Sequence, residues 1–380
     1  MADSCIYLDH AATTPVDDRV LDAMLPWFRG NGAANPASGQ HSPGRSAAAA
    51  VDTARRQVAE LIGADSTEIV FTSGATESCT LAIRGLARAA GTGHIVTVAH
   101  EHPAVLDPIR RLEREGHEVT IVTPPASGVV TGAHIASAIR DDTILVSVMW
   151  VNNELGTIND MASIAATCQD RDVALHCDAT QAVGKIPIDL GTVPVTVLSC
   201  SAHKLHGPKG VGALFVRGGP ATTRLQPIIE GGGHERGLRS GTLNVPGIVG
   251  FGEACAISNR EMDVESPRLA SLRDRLEVGL QERLDAVSVN GAVATRVPTI
   301  TNLSFGRLVG PEPLVNRLAG VAAAAGSACS SSREGPSHVL AAIGVPDHLA
   351  ANALRLSVGR TTTTADVDQA IEAIVAAVGC

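Results

Sequence analysis

In VTVLSCSAHKLHGPKGVGALFV, residues 195–216, an apolar run ends abruptly at a lysine set among hydroxyl, imidazole and glycine residues. An amine forms a Schiff base only when it can lose its proton, and partial desolvation at a strand end lowers a lysine pKa in that direction. Lys204 is therefore a candidate Schiff-base lysine, with Lys209 its competitor. Standing alone, the segment would read as a solvated turn. A second run, VALHCDATQAVGK, closes at Asp178. A carboxylate there can keep a pyridine nitrogen protonated, so that the ring accepts electrons. The same residue also suits an Asx-turn or a helix cap opening ATQAVGK.

Other run ends add to the set. FTSGATESCTLAIRGL reads as strand, glycine turn and helix, placing the amides of Gly74, Ala75 and Thr76 and the Thr76 hydroxyl where a phosphate binds. The turn lacks the full Walker pattern, which argues against a nucleotide loop. In TVAHEHPAV, His102 can stack on a flat cofactor and shuttle protons near neutral pH. His100 is its rival, and helix capping or core hydrogen bonding is the ordinary role of either. Asn153, in MWVNNELGTI, follows the same placement, with a polar turn as the plain alternative. Cys200 and His203 have the spacing of half a metal site, and His176 with Cys177 would have to be the other half. Strand alternation turns that second pair to opposite faces, so no metal site is expected.

The elements that position these residues follow from periodicity. From about Glu68, the runs EIVF, HIVTVA, EVTIVTP, TILVSVMWV, VALHCD and VTVLSC alternate with amphipathic or Ala-rich segments. This order predicts an α/β fold with a mainly parallel sheet and helices on both faces, with ligand chemistry at the C-terminal strand ends. After Cys255 the pattern changes to a charged helix through MDVESPRLASLRDRLEVGLQERL, a strand-like VPTITNLSF and a final helix from about Thr364. These predict a smaller α+β domain. The large domain is expected over 15–255, with 1–14 and 256–380 forming the small one. The stretch VAAAAGSACSSSREGPS reads as a flexible surface loop.

Composition bounds the function. The chain has 380 residues, 44% hydrophobic and 18% charged, enough for two packed domains. A formal charge of −9 opposes direct nucleic-acid binding. There is no signal-like N-terminus and no apolar run of spanning length, so a cytoplasmic protein without a membrane role is expected. The eight cysteines lack paired spacing, and most should be reduced, buried small hydrophobes.

With these residues assembled, the sequence closely resembles the cysteine desulfurases of the class V, fold-type I pyridoxal-phosphate enzymes. The resemblance covers essentially the whole chain. It rests on YLDHAATTP, NPAS, HSPGR, FTSGATES, EHPAVL, VNNELG, HCDATQAVGK, SAHKLHGPKG, GGGHERGLRSGTLNVPGIVG, GSACSSS and LRLSVGR, in family order. It implies pyridoxal 5'-phosphate as cofactor and a seven-stranded sheet in the large domain, with the small domain carrying a catalytic cysteine loop. It also implies that Lys204 is the Schiff-base lysine, Asp178 the pyridine-nitrogen partner, Gln181 a hydrogen bond to the ring oxygen and His102 the stacking acid/base. The phosphate would be held by Ala75 and Thr76, by Ser201 and His203, and by Thr242 from the other subunit of a homodimer. Arg355, with Asn153 assisting, would bind the substrate carboxylate, and Cys329 would be the nucleophile that leaves as a persulfide.

The implied reaction converts L-cysteine to L-alanine and passes sulfur to an acceptor protein. The family serves iron–sulfur cluster assembly, tRNA thiolation and DNA phosphorothioation, and the sequence does not choose among them. The chain runs about one helix beyond LRLSVGR, where housekeeping members continue into a scaffold-docking tail; that gives weight to dedicated or alternative acceptors. A selenocysteine lyase or a related class V aminotransferase is the alternative enzyme reading. A cofactor-binding scaffold with little activity is the alternative of another kind.

Overall fold

The computed structural model describes residues 5–308, 312–326 and 337–379. Its strands are β1 (Ile6–Tyr7), β2 (Ile69–Thr72), β3 (His94–Val98), β4 (Glu118–Val122), β5 (Thr143–Ser147), β6 (Ala174–Asp178), β7 (Val197–Ser201), β8 (Gly212–Val216), β9 (Val287–Val289), β10 (Ile300–Phe305), β11 (Val321–Ala322) and β12 (Ala353–Ser357). The helices are α1 (Asp18–Met24), α2 (Ser42–Leu61), α3 (Ala75–Ala90), α4 (Pro103–Arg114), α5 (Gly132–Ala136), α6 (Met161–Asp170), α7 (Val245–Arg283), α8 (Leu314–Arg317), α9 (His338–Ala342), α10 (Asp347–Ala350) and α11 (Thr364–Gly379).

The seven-stranded sheet has the order β2-β8-β7-β6-β5-β3-β4. The six apolar runs supply six of these strands, and the β3, β5, β6 and β7 pairings are parallel, as alternation with helices requires. The seventh strand, β8, lies antiparallel to both β7 and β2. Only ten residues separate β7 from β8, too few for a parallel crossover, so the chain must turn back on itself. The ends of β2, β3, β5, β6 and β7 consequently share one edge with the start of β8. The run TILVSVMWV is shorter as a strand than its apolarity predicts: β5 ends at Ser147, and the chain beyond follows β6, with Trp150 N–H donating to Asp178 O at 2.9 Å.

A second sheet, β12-β10-β9, is antiparallel, and β1 pairs with β11 in parallel. The helix expected after Cys255 begins earlier. Helix α7 starts at Val245, capped by Asn244 accepting from Gly247 N, and continues through Pro267 to Arg283. Its first turns bury Ile248, Phe251 and Cys255 against the large sheet's core, whereas Leu269, Leu272, Leu276 and Leu280 join a separate buried cluster with β10, β12 and α11. One helix thus serves two cores, which hides any compositional break. The final helix starts at Thr364, where the sequence places it. The alanine-rich stretch begins as paired backbone, with Val321–Ala322 in β11 and Ala324 bridged to Arg355. That pairing replaces the expected loop over its first residues.

Candidate functional site

The strand ends surround a cavity of about 400 Å³ lined by Lys204, Asp178, Gln181, His102, Asn153, Arg355, Ser201, His203, Ala75 and Thr76, among others. Ten of the twelve sequence-predicted site residues therefore meet at one place. The eleventh, Thr242, is exposed in the segment before α7 and does not line this cavity in the single chain. The twelfth, Cys329, lies outside the described residues.

Lys204 closes a short 3-10 turn directly after β7, and its Nζ donates to the carbonyls of Ala11 and Ala12 at 2.6 and 2.7 Å. Its competitor Lys209 also lines the cavity but is exposed. Asp178 is the last residue of β6 and is 7% exposed. Its Oδ1 accepts the Thr180 N–H at 3.0 Å, so the Asx-turn and the cavity position coexist in one side chain. The following turn carries Gln181, whose Nε2 donates to the Ala11 carbonyl at 2.8 Å.

Histidines at the site are separable by their partners. His102 caps α4, its Nδ1 accepting the Ala104 N–H at 3.1 Å. With Nδ1 an acceptor, the neutral ring carries its proton on Nε2. Burial lowers the His102 pKa, against the opposing pull of the Asp178 carboxylate. His100 is fully buried, bonds through Nε2 to Gly128 O and is pulled down to about 4 by burial. It is a core histidine. His203 bonds through Nδ1 to Thr13 Oγ1, and burial pulls it down to about 4. His176 sits between the Ser147 and Ser199 hydroxyls inside the sheet.

At the opposite wall, the turn from β2 into α3 passes through Gly74 at φ +151°, a conformation that L side chains rarely adopt. A Cβ on the facing Gly212 would lie 2.7 Å from the Gly74 Cα, so bare backbone meets bare backbone here. The first amides of α3 have no intrahelical acceptor and carry the positive end of its dipole.

Arg355, on β12, is 1% exposed. Its guanidinium donates to Asn153 O at 3.0 Å and to Asp9 Oδ1 at 2.7 Å. Its Nε and the Asn153 Oδ1 are buried without a hydrogen-bond partner among the described residues. Both residues line the cavity, and unsatisfied buried polar atoms of this kind call for an explanation. Asp9 and the carbonyls of Ala11 and Ala12 were not assigned a role from sequence. The motif YLDHAATTP held them, but nothing in it shows which distant element it meets.

Comparison with known proteins agrees with this geometry. The aminotransferase class-V family profile matches residues 6–370. The chain is 51% identical over 377 residues to cysteine desulfurase IscS of Aeromonas hydrophila, covering 98% of this chain and 93% of that one. Among solved structures, a NifS-like protein superposes with a TM-score of 0.89 at 35% identity, over 98% of both chains. SspA in complex with cysteine superposes with a TM-score of 0.81 at 37% identity, over 93% of this chain and 98% of that one. The chain belongs to the class-V aminotransferase family and, within it, to the pyridoxal-phosphate-dependent cysteine desulfurases.

Proposed function

We propose that the cavity holds pyridoxal phosphate through Lys204, Asp178, Gln181 and His102. In this reading Arg355 and Asn153 bind the carboxylate of L-cysteine, and sulfur leaves as a persulfide on Cys329 for an acceptor protein. The observation that carries this reading is the convergence of a lysine, a strand-end carboxylate, a capping histidine and a helix N-terminus on one cavity. The residues fit the cofactor: at Gly74 an added Cβ would meet only Ser201 Oγ, at 3.8 Å, which leaves side-chain-free space beside the α3 amides for a phosphate, with Ser201 and His203 lining the same cavity.

When bound, the cofactor supplies an electron sink for the substrate's α-carbon. Every other part belongs to the chain. The Asp178 carboxylate would hold a proton on the ring nitrogen, and Gln181 Nε2 would present an N–H. His102 Nε2 holds a proton within the cavity. Lys204 Nζ, resting on two carbonyls, can leave them to take the substrate's α-proton. The Arg355 Nε and the Asn153 Oδ1 supply unused polar capacity for the amino acid.

Sulfur transfer balances as cysteine plus the Cys329 thiol giving alanine plus the Cys329 persulfide. The carbon–sulfur bond breaks, a sulfur–sulfur bond forms, and the proton of the attacking thiol is matched by one delivered to the alanine methyl group. The described chain supports this placement. Ala324 pairs with Arg355 shortly before the cysteine segment, and Ser337, just after it, donates to Glu154 at 2.5 Å, beside Asn153. The exposed Thr242 is available to a second copy of the chain, which agrees with a homodimer.

The test is a visible absorption spectrum of the purified protein, followed by L-cysteine with alanine and sulfide assayed together under reductant. Equal amounts of both products are expected. Cys329→Ser should keep the visible band and still bind cysteine but lose sulfide release; unchanged release would overturn the assignment. Selenocysteine turned over far faster than cysteine would move the reading to a selenocysteine lyase.

A further inference from the structure

Gln181 Nε2 and Lys204 Nζ both donate to the Ala11 carbonyl. The other end of the Gln181 amide is also occupied: Lys185 Nζ donates to Gln181 Oε1 at 2.5 Å. Residues 181 and 185 are one helical turn apart, and backbone bonds from Val183 to Ala179 and from Ile186 to Ala182 give the segment that curvature. Gly184, at φ +75°, lets the turn close.

Behind Lys204 lies a second, small cavity lined by Lys185, Lys204, His10, His206, Arg360, Glu261 and Glu265. Its two carboxylates are taken: Glu261 pairs with Arg19 and Arg360, and Glu265 with Arg268. Lys185 has no ion pair among the described residues. Its hydrogen bond goes to an uncharged amide instead.

We propose that Lys185 is a positioning residue that fixes the Gln181 carboxamide with its oxygen turned away from the cavity and its N–H₂ turned toward Ala11 and the cofactor. An amide can be flipped without changing its shape, so something must decide its orientation. Here both ends decide it together. The Ala11 carbonyl can only accept, and the lysine nitrogen donates to Oε1. Burial, with Lys204 and Arg355 as like-charged neighbours, pulls Lys185 down to about 7. Its charged and neutral forms both retain N–H groups, so the orientation survives that titration. Lys185 thus lies one residue removed from the cofactor and acts through Gln181.

The inference rests on Gln181 facing the cofactor, and the experiment separates the two. The pH titration of the bound cofactor's visible band is measured on the substrate-free holoenzyme for Gln181→Leu, Lys185→Met, Lys185→Arg and the Gln181→Leu/Lys185→Met pair. Folding of each is checked by circular dichroism. Gln181→Leu and Lys185→Met should each move the midpoint in the same direction by roughly one pH unit, a tenfold change in proton affinity. The pair should move it no farther than either alone. Lys185→Arg, which keeps donors, should hold the wild-type midpoint. Should Lys185→Met not fold, Lys185→Arg decides alone, a shifted midpoint counting against the proposal. Additive shifts, or an unmoved midpoint in Lys185→Met where Gln181→Leu moves it, overturn the role of Lys185 alone. An unmoved midpoint in Gln181→Leu removes the assignment of Gln181 as well.

Discussion

Two buried arginines of this chain use their donors differently. Arg55, on α2, donates through both terminal nitrogens to the Glu235 carboxylate at 2.7 Å and adds a bond to Ile69 O at 2.8 Å. Its guanidinium lies 4.7 Å over the Phe71 ring. Glu235 in turn accepts the Phe71 N–H. Arg355 is more deeply buried, yet it meets Asp9 through a single bond and its Nε has no partner among the described residues. The first arrangement is closed: a bidentate, stacked pair with its partner also satisfied. The second, on a residue that lines the cavity, is not saturated, which fits the proposal that Arg355 serves a substrate carboxylate. Degree of saturation, rather than depth of burial, separates Arg55 from Arg355, the arginine proposed for the substrate.

The closed pair also carries strain. Glu235 and Arg236 both have positive φ, 47° and 55°, although neither is glycine. Such a turn persists only when its surroundings hold it. Arg55→Met tests whether the pair does so. It leaves the Glu235 side chain, 2% exposed, as a buried carboxylate without its cation, which costs about 3 to 5 kcal/mol of stability. Chemical denaturation measures this, and the KM for cysteine of the folded enzyme should stay within about twofold. A loss under about 1 kcal/mol would erase the distinction between the two arginines.

Arg355→Lys is the converse experiment. A lysine keeps the charge but not the planar fork, and cannot reach Asn153 O, Asp9 and a substrate carboxylate together. The expected loss is about a hundredfold in kcat/KM for cysteine, near 2.7 kcal/mol of transition-state binding, with little change in melting temperature. Steady-state kinetics beside a thermal melt would read both. Unchanged kcat/KM would return Arg355 to the scaffold class.

This contrast explains what the sequence made legible. Lys204, Asp178 and the α3 turn could be read because each closes an apolar run, and strand ends in such sheets gather at one edge. His102 and His100 could not be ranked by spacing alone; they differ in partners, Ala104 N against Gly128 O. Strand β8 escaped the pattern because it returns without an intervening helix. The early start of α7 was hidden because its apolar first turns and charged later turns read as separate segments. Arg355 was legible only through family resemblance. In LRLSVGR it reads as a surface charge, because its partner Asp9 is 346 residues away and no periodicity joins them. Lys185 stood in plain view one turn after Gln181, but its meaning depends on the Ala11 carbonyl brought in from the other end of the chain.

That long-range partner offers the finest test of the comparison. Asp9→Asn keeps a side-chain oxygen for the Arg355 NH2 while removing the competing negative charge. If Asp9 sets how much of the guanidinium remains for a ligand, a substrate carboxylate should gain from the change. The KM for cysteine should fall about two- to threefold, less than 1 kcal/mol by the tenfold-per-1.4 rule. The stability change should be smaller than for Arg55→Met, because the asparagine oxygen keeps an acceptor for the Arg355 guanidinium and Asp9 is partly open to solvent. Kinetics at constant ionic strength would resolve an effect of this size. A rise in KM would mean instead that Asp9 orients the fork rather than competing for it, making this second arrangement a preset clamp whose open Nε is aimed by its own carboxylate.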